Sequence, residues 1–129
     1  MPDRKRILVA DDDPDLLDLL KMDLSFQGYD VVSAANGKDA LQMAVNEKLD
    51  LVLLDVMMPY IDGYHVAYEV TNKLGSKAPC IVIMTSRDTT RERGIAMMSG
   101  ATEVIQKPFE MASLHTKLTE LLAKVPHKD

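Results

Sequence analysis

The chain has 129 residues, 47% of them hydrophobic, enough to enclose one core, and this excludes a disordered segment. Its net charge of −5 opposes nonspecific attraction to nucleic acid or to an anionic membrane surface, so any DNA binding would come from a different domain. The single cysteine, Cys80, excludes an internal disulfide and is expected to be a small core residue. No apolar run approaches the ~20 residues of a membrane span or a signal peptide's apolar stretch, and a soluble cytoplasmic protein is the expectation.

The apolar pattern alternates between short strand-like runs and longer stretches with helical spacing, which predicts five βα units around a parallel sheet. The first strand is expected over about Lys5 to Ala10, with Arg4-Lys5-Arg6 read as a solvated strand entrance. Asp13 then caps a helix that has Pro14 in its first position, buries Leu16, Leu17, Leu20 and Leu24, and ends at Gly28. The second strand, Asp30 to Ala34, leads to a helix capped by Asn36 with Leu41, Ala44 and Val45 on one face.

The third strand, Asp50 to Leu54, delivers Asp55, and Pro59 with Asp62-Gly63 breaks the chain before a helix that buries Val66, Ala67, Val70 and Leu74. The fourth strand is Cys80 to Met84, and its helix is capped by Asp88 or Thr89 and closed at Gly100. A short fifth strand, Glu103 to Gln106, precedes a helix over about Glu110 to Lys124 that buries Met111, Leu114, Leu118, Leu121 and Leu122 and is stopped by Pro126. One domain over residues 1–129, with a core of about 5–124, is expected; Pro126 to Asp129 suits the start of a linker.

Four strand-like runs stop on residues suited to phosphate chemistry: Asp11-Asp12-Asp13, Asp55, Thr85-Ser86 and Lys107. Parallel strands bring their carboxyl ends to one edge, where open α/β sheets hold ligands. Two unit charges about 4 Å apart repel by roughly 4 kcal/mol at an effective dielectric near 20, so clustered acids need cations. Lys107 supplies one. The remaining excess, in an oxygen-only site, suits a hard divalent ion such as Mg²⁺. Asp13 is accounted for as a helix cap. A carboxylate beside a metal and an ammonium is a plausible phosphoryl acceptor, and the Thr85 hydroxyl is placed to bond a phosphoryl oxygen.

These residues resemble the response-regulator receiver domain, as in single-domain chemotaxis regulators, over essentially Lys5 to Lys124. The matching segments are Ile7 to Pro14, Asn36-Gly37-Lys38, Leu53 to Pro59 with Asp62-Gly63, Met84-Thr85-Ser86 and Lys107-Pro108-Phe109. The resemblance implies a flavodoxin-like (βα)5 three-layer sandwich with strand order 2-1-3-4-5, an order that comes with the family. It implies that Asp55 accepts a phosphoryl group from a sensor histidine kinase or histidine phosphotransfer protein. Asp11, Asp12, Asp55 and the Met57 carbonyl would surround Mg²⁺, Thr85 and Lys107 would engage the phosphoryl group, and the Lys107-Pro108 peptide would be cis. The partner side would be an output protein or effector domain, or a second copy of the domain, with no direct nucleic-acid or membrane binding. Such a chain assists its own phosphorylation and dephosphorylation and is not an enzyme with a separate substrate.

The chain departs from the family at Val104, where many members carry Tyr or Phe, so an aromatic rotamer switch is impossible there. Met57 and Arg87 occupy positions where the family tunes acyl-phosphate lifetime. Two other readings stay open: an aspartyl-phosphate hydrolase with Asp11 as nucleophile and Asp13 as general acid, and a pseudo-receiver that binds partners without phosphorylation. The first lacks the length for a substrate cap; the second is motivated only by Val104. No Gly-x-Gly-x-x-Gly follows the first strand, which disfavours a dinucleotide site. His65, His115 and His127 are expected at the surface, and the nine methionines mostly in the core, with Met97-Met98 exposed for a partner.

Overall fold

A computed structural model describes residues 4–124; Pro126, expected to stop the last helix, and His127 lie outside the described residues. In chain order the elements are β1 (Arg6–Ala10), α1 (Pro14–Phe26), β2 (Asp30–Ala34), α2 (Gly37–Asn46), β3 (Leu51–Asp55), α3 (Gly63–Leu74), a 3-10 turn (Gly75–Lys77), β4 (Cys80–Thr85), α4 (Thr89–Met98), β5 (Glu103–Gln106) and α5 (Met111–Ala123). The strands form one 5-stranded sheet in the order β2-β1-β3-β4-β5, every pairing parallel. The third and fourth strands each run one residue further than expected, so Asp55 and Thr85 are the last strand residues and not the first loop residues.

Strand side chains alternate between two faces, and both faces are dry. Leu8, Val52, Leu54, Ile81, Ile83 and Val104 pack toward Ala40, Ala44, Val66, Ala67, Val70 and Ala96 of α2, α3 and α4. Ile7, Val9, Leu51, Leu53, Val82 and Met84 pack toward Leu17, Leu20 and Leu24 of α1 and Leu114, Leu118 and Leu122 of α5. Leu20 and Leu24 are fully buried, each contributing on the order of 2 kcal/mol from area removed from water. The helix ends follow local chemistry. The Asp13 carboxylate accepts the Asp15 and Leu16 N–H groups, Asn36 accepts that of Asp39, Asp62 that of His65, and Asp88 that of Thr90. Gly28 and Gly100 take positive φ just past α1 and α4.

Several expectations are corrected. Arg6 is not a solvated entrance residue: it is half-buried, its guanidinium pairing with Asp30 and Glu47 at 2.9 Å each, because β1 is flanked on both sides by acids at the strand entrances. Cys80, Leu16, Val45, Leu74, Met111 and Leu121 are partly buried and not fully enclosed, and Ala40 takes the central place on α2 that the spacing had given to Leu41. His115 is partly buried and bonded to Asp23, tying α5 to α1; His65 is at the surface as expected. Of the described methionines only Met84 is fully buried; Met97 and Met98 are exposed as expected, and Met22 and Met57 are exposed as well because α1 and the loop after β3 turn them outward.

Candidate functional site

The sheet register decides which side chains meet. Ala10 is level with Leu54 across β1 and β3, Asp55 with Met84 across β3 and β4, and Thr85 with Gln106 across β4 and β5. The residues at and just after these positions are Asp11, Asp55, Thr85 and Lys107, so four strand ends reach one edge. Asp11 is held there by its N–H to the Ala34 carbonyl at 3.2 Å, and Lys107 by its N–H to the Thr85 carbonyl at 2.7 Å. The Lys107-Pro108 peptide is cis, as the resemblance implied.

Carboxylate oxygens of Asp11, Asp12 and Asp55 lie within 4.8 Å of one another. Asp11 and Asp55 are buried, whereas Asp12 is exposed at the mouth. The Lys107 ammonium bridges the two buried acids, 2.6 Å from Asp11 Oδ2 and 3.1 Å from Asp55 Oδ1. Asp11 also accepts the Asp13 N–H at 3.0 Å, which turns the chain into α1 and leaves Asp13 facing its own helix, outside the acid group.

Burial, and then the charge of Asp11, push the Asp55 carboxyl above its usual range, while the bond from Lys107 pulls the other way. Burial would lower Lys107, but its bonds to Asp11 and Asp55 outweigh that and hold the ammonium above its ordinary value. Three carboxylates thus share one ammonium, and the pocket keeps an excess of acid. Three carboxylates converging on a small volume, two of them buried, fit a hard divalent cation that keeps part of its water.

Two glycines let backbone approach the site. A Cβ on Gly63 would sit 2.3 Å from the Asp55 carbonyl oxygen, and one on Gly37 would sit 1.8 Å from that of Ile61, so α3 and α2 start against the loop that follows the central acid. Met57 lies exposed in that loop. Thr85 is buried and its hydroxyl oxygen accepts the Arg87 N–H at 3.0 Å. Ser86 is exposed and Arg87 extends at the mouth, its guanidinium 4.0 Å from Glu92. Val104 is buried against the α4 side of the sheet, with no ring that could change position.

The spacing did not reveal Glu92, a buried carboxylate on the first turn of α4 that accepts the Tyr64 hydroxyl of α3. A polar helix with little amphipathic signal hid it. A cavity of about 720 Å³ lies elsewhere, at the opposite end of the sheet beside Leu49, Pro79, Cys80 and Leu121. It gathers no comparable set of acids, so converging chemistry and not volume identifies the site.

Comparison with known proteins agrees with this geometry. A family profile described as "Response regulator receiver domain" matches residues 7–119. "Response regulator MprA" of Mycolicibacterium vanbaalenii is 37% identical over 124 residues, covering 96% of this chain and 53% of that protein. The chain thus spans about half the length of the curated relatives it matches. Among solved structures, a CheY-like receiver domain protein from Methanospirillum hungatei superposes with a TM-score of 0.87 at 29% identity, covering 94% of this chain and 95% of that one. The response regulator TrrA of Thermotoga maritima, solved in complex with Mg²⁺ and BeF, is 36% identical with a TM-score of 0.80, covering 91% of this chain and 98% of that one. With its sheet order, its acid edge and its profile match in agreement, the chain belongs to the response regulator receiver domain family of two-component signalling.

Proposed function

We propose that Asp55 accepts a phosphoryl group from a phosphohistidine on a sensor histidine kinase or histidine phosphotransfer protein, and that the phosphorylated domain signals to an output protein or effector domain. One observation carries this: Asp55 is the central acid of the cluster, and Lys107 is bonded to it and to Asp11 at once. A carboxylate oxygen of Asp55 attacks phosphorus, the N–P bond of the donor breaks, and its electron pair returns to the imidazole nitrogen. The attack needs the anion, and the Lys107 bond opposes the burial that would protonate it. The same ammonium faces the charge that accumulates on the transferred oxygens.

Asp11, Asp12 and Asp55, with the Met57 carbonyl, would hold Mg²⁺, which supplies neutralisation of phosphoryl-oxygen charge when bound. Thr85 would turn its hydroxyl to the new phosphoryl group, giving up the bond it accepts from Arg87. The chain assists its own labelling and hydrolysis without a separate substrate, and a cytoplasmic setting fits such a donor. A second copy of the domain is an alternative output partner. The test is acetyl phosphate treatment with and without Mg²⁺, read by intact mass. Wild type is expected to gain one phosphoryl group only with Mg²⁺, and Asp55→Asn none; equal labelling of both overturns the assignment.

A further inference from the structure

With Val104 in place of a ring, movement at Thr85 needs another route to the surface. The bonds around α4 supply one. Among the described residues α4 buries only Glu92 and Ala96, so little apolar packing fixes its position beyond the pair of Arg93 with Glu103 of β5 at 2.8 Å. Glu92 is 7% exposed, and a carboxylate so enclosed requires partners. It has two, from different elements: the Tyr64 hydroxyl on α3 donates to Oε1, and the Arg87 guanidinium in the loop before α4 stands 4.0 Å from Oε2. Arg87 is in turn bonded through its N–H to the Thr85 hydroxyl at 3.0 Å. A continuous chain of contacts therefore runs from the end of β4, through the loop, into the buried carboxylate of α4 and on to α3.

We propose that Tyr64 and Glu92 form a latch that holds α4 in its resting position, and that engagement of Thr85 by a phosphoryl group opens the latch through Arg87. This rests on the phosphoacceptor reading above. When Thr85 turns its hydroxyl toward Asp55, the Arg87 N–H loses its acceptor and the loop leading into α4 is freed. The Arg87 guanidinium moves with it, and Glu92 loses one of the two cations or donors that make its burial tolerable. The helix then leaves Tyr64, carrying with it Ile95, Met97 and Met98, which are 52%, 52% and 87% exposed and form the surface whose placement changes. The latch thus does from the α3 side what a moving ring would do from β5, as a two-state element biased by one new charge-assisted bond. Burial first, and then the bond to Glu92, push the Tyr64 phenol above its ordinary range, so the hydroxyl stays a donor at any working pH.

Amide hydrogen exchange across residues 89–98 of the full chain tests this, in wild type, Tyr64→Phe and Glu92→Gln, before and after acetyl phosphate with Mg²⁺. Tyr64→Phe keeps the ring and removes only the hydroxyl. Without phosphate it is expected to exchange its α4 amides about fivefold faster than wild type, the size of one net hydrogen bond, with strand amides unchanged. Phosphorylation is expected to speed α4 exchange in wild type and to add less than about twofold in Tyr64→Phe, whose latch is already open. Glu92→Gln, which can still accept from Tyr64, is expected to fall between them. Wild-type α4 exchange in resting Tyr64→Phe, or an equal response to phosphorylation in both proteins, overturns the latch. Intact mass on the same samples separates the two proposals: missing label on Asp55 sinks the phosphoacceptor reading and the latch with it, whereas full label with equal α4 responses sinks the latch alone.

Discussion

Asp55→Asn should make the metal-free chain more stable, although it removes a buried, bonded side chain. In the folded state burial strips the Asp55 carboxylate of water and sets it within 4.8 Å of that of Asp11, a repulsion of about 3.5 kcal/mol at an effective dielectric near 20, with a smaller push from exposed Asp12. Against these stands the Lys107 contact at 3.1 Å, an attraction of about 5 kcal/mol on the same scale. Burial tips the balance against the anion, a net cost on the order of 1 kcal/mol that the amide relieves while still accepting from Lys107. For a domain of this size that is a rise of roughly 5 °C in Tm. The assay is thermal unfolding in chelator at neutral pH. Because the folded Asp55 pKa is raised above 3.8, its ionisation opposes folding, so the gap between variant and wild type should narrow as pH falls through the folded pKa and close below 3.8. Millimolar Mg²⁺ should reverse the order by stabilising wild type more than the variant. A metal-free Asp55→Asn less stable than wild type at neutral pH would refute the charge balance.

Lys107→Met removes the ammonium that competes for the same carboxylates, so Mg²⁺ affinity measured by calorimetry should rise roughly tenfold, about 1.4 kcal/mol, while labelling by acetyl phosphate slows. Gly63→Ala drives a Cβ into the Asp55 carbonyl and should cost about 2 kcal/mol or more in denaturant unfolding, with slower labelling because the acceptor's own backbone moves. Arg87→Ala should speed loss of the phosphoryl group about threefold, roughly 0.65 kcal/mol of barrier, by opening the mouth to water; an unchanged rate in a phosphate-release assay removes that role.

The fold was legible because its signals are local. Runs such as Ile81 to Met84 are bounded by turn residues, and Asp13, Asn36 and Asp62 cap their own helices within three residues. The site was legible for a topological reason: once the strands are parallel, Asp11, Asp55, Thr85 and Lys107 must share an edge, whatever the helices do. What stayed hidden depends on pairs far apart in sequence. Glu92 looks like one more charge on a polar helix until Tyr64, on the helix before β4, supplies its donor. His115 looks like a surface residue until α5 is laid beside Asp23 of α1, and Arg6 looks solvated until Asp30 and Glu47 close around it. Periodicity reports which face of an element is apolar and says nothing about which polar side chain on another element waits there. Met22 stayed hidden for the converse reason, since an apolar residue at an outward helical position is exposed by geometry.

The most direct measurement is to identify which aspartate carries the label after acetyl phosphate and Mg²⁺, by trapping the acyl phosphate with borohydride and sequencing the labelled peptide by mass spectrometry. The label is expected on Asp55, in the peptide that contains Met57 and Met58. A label on Asp11 would make the first strand's acid the nucleophile, with Asp13 as its acid partner, and would contradict that assignment.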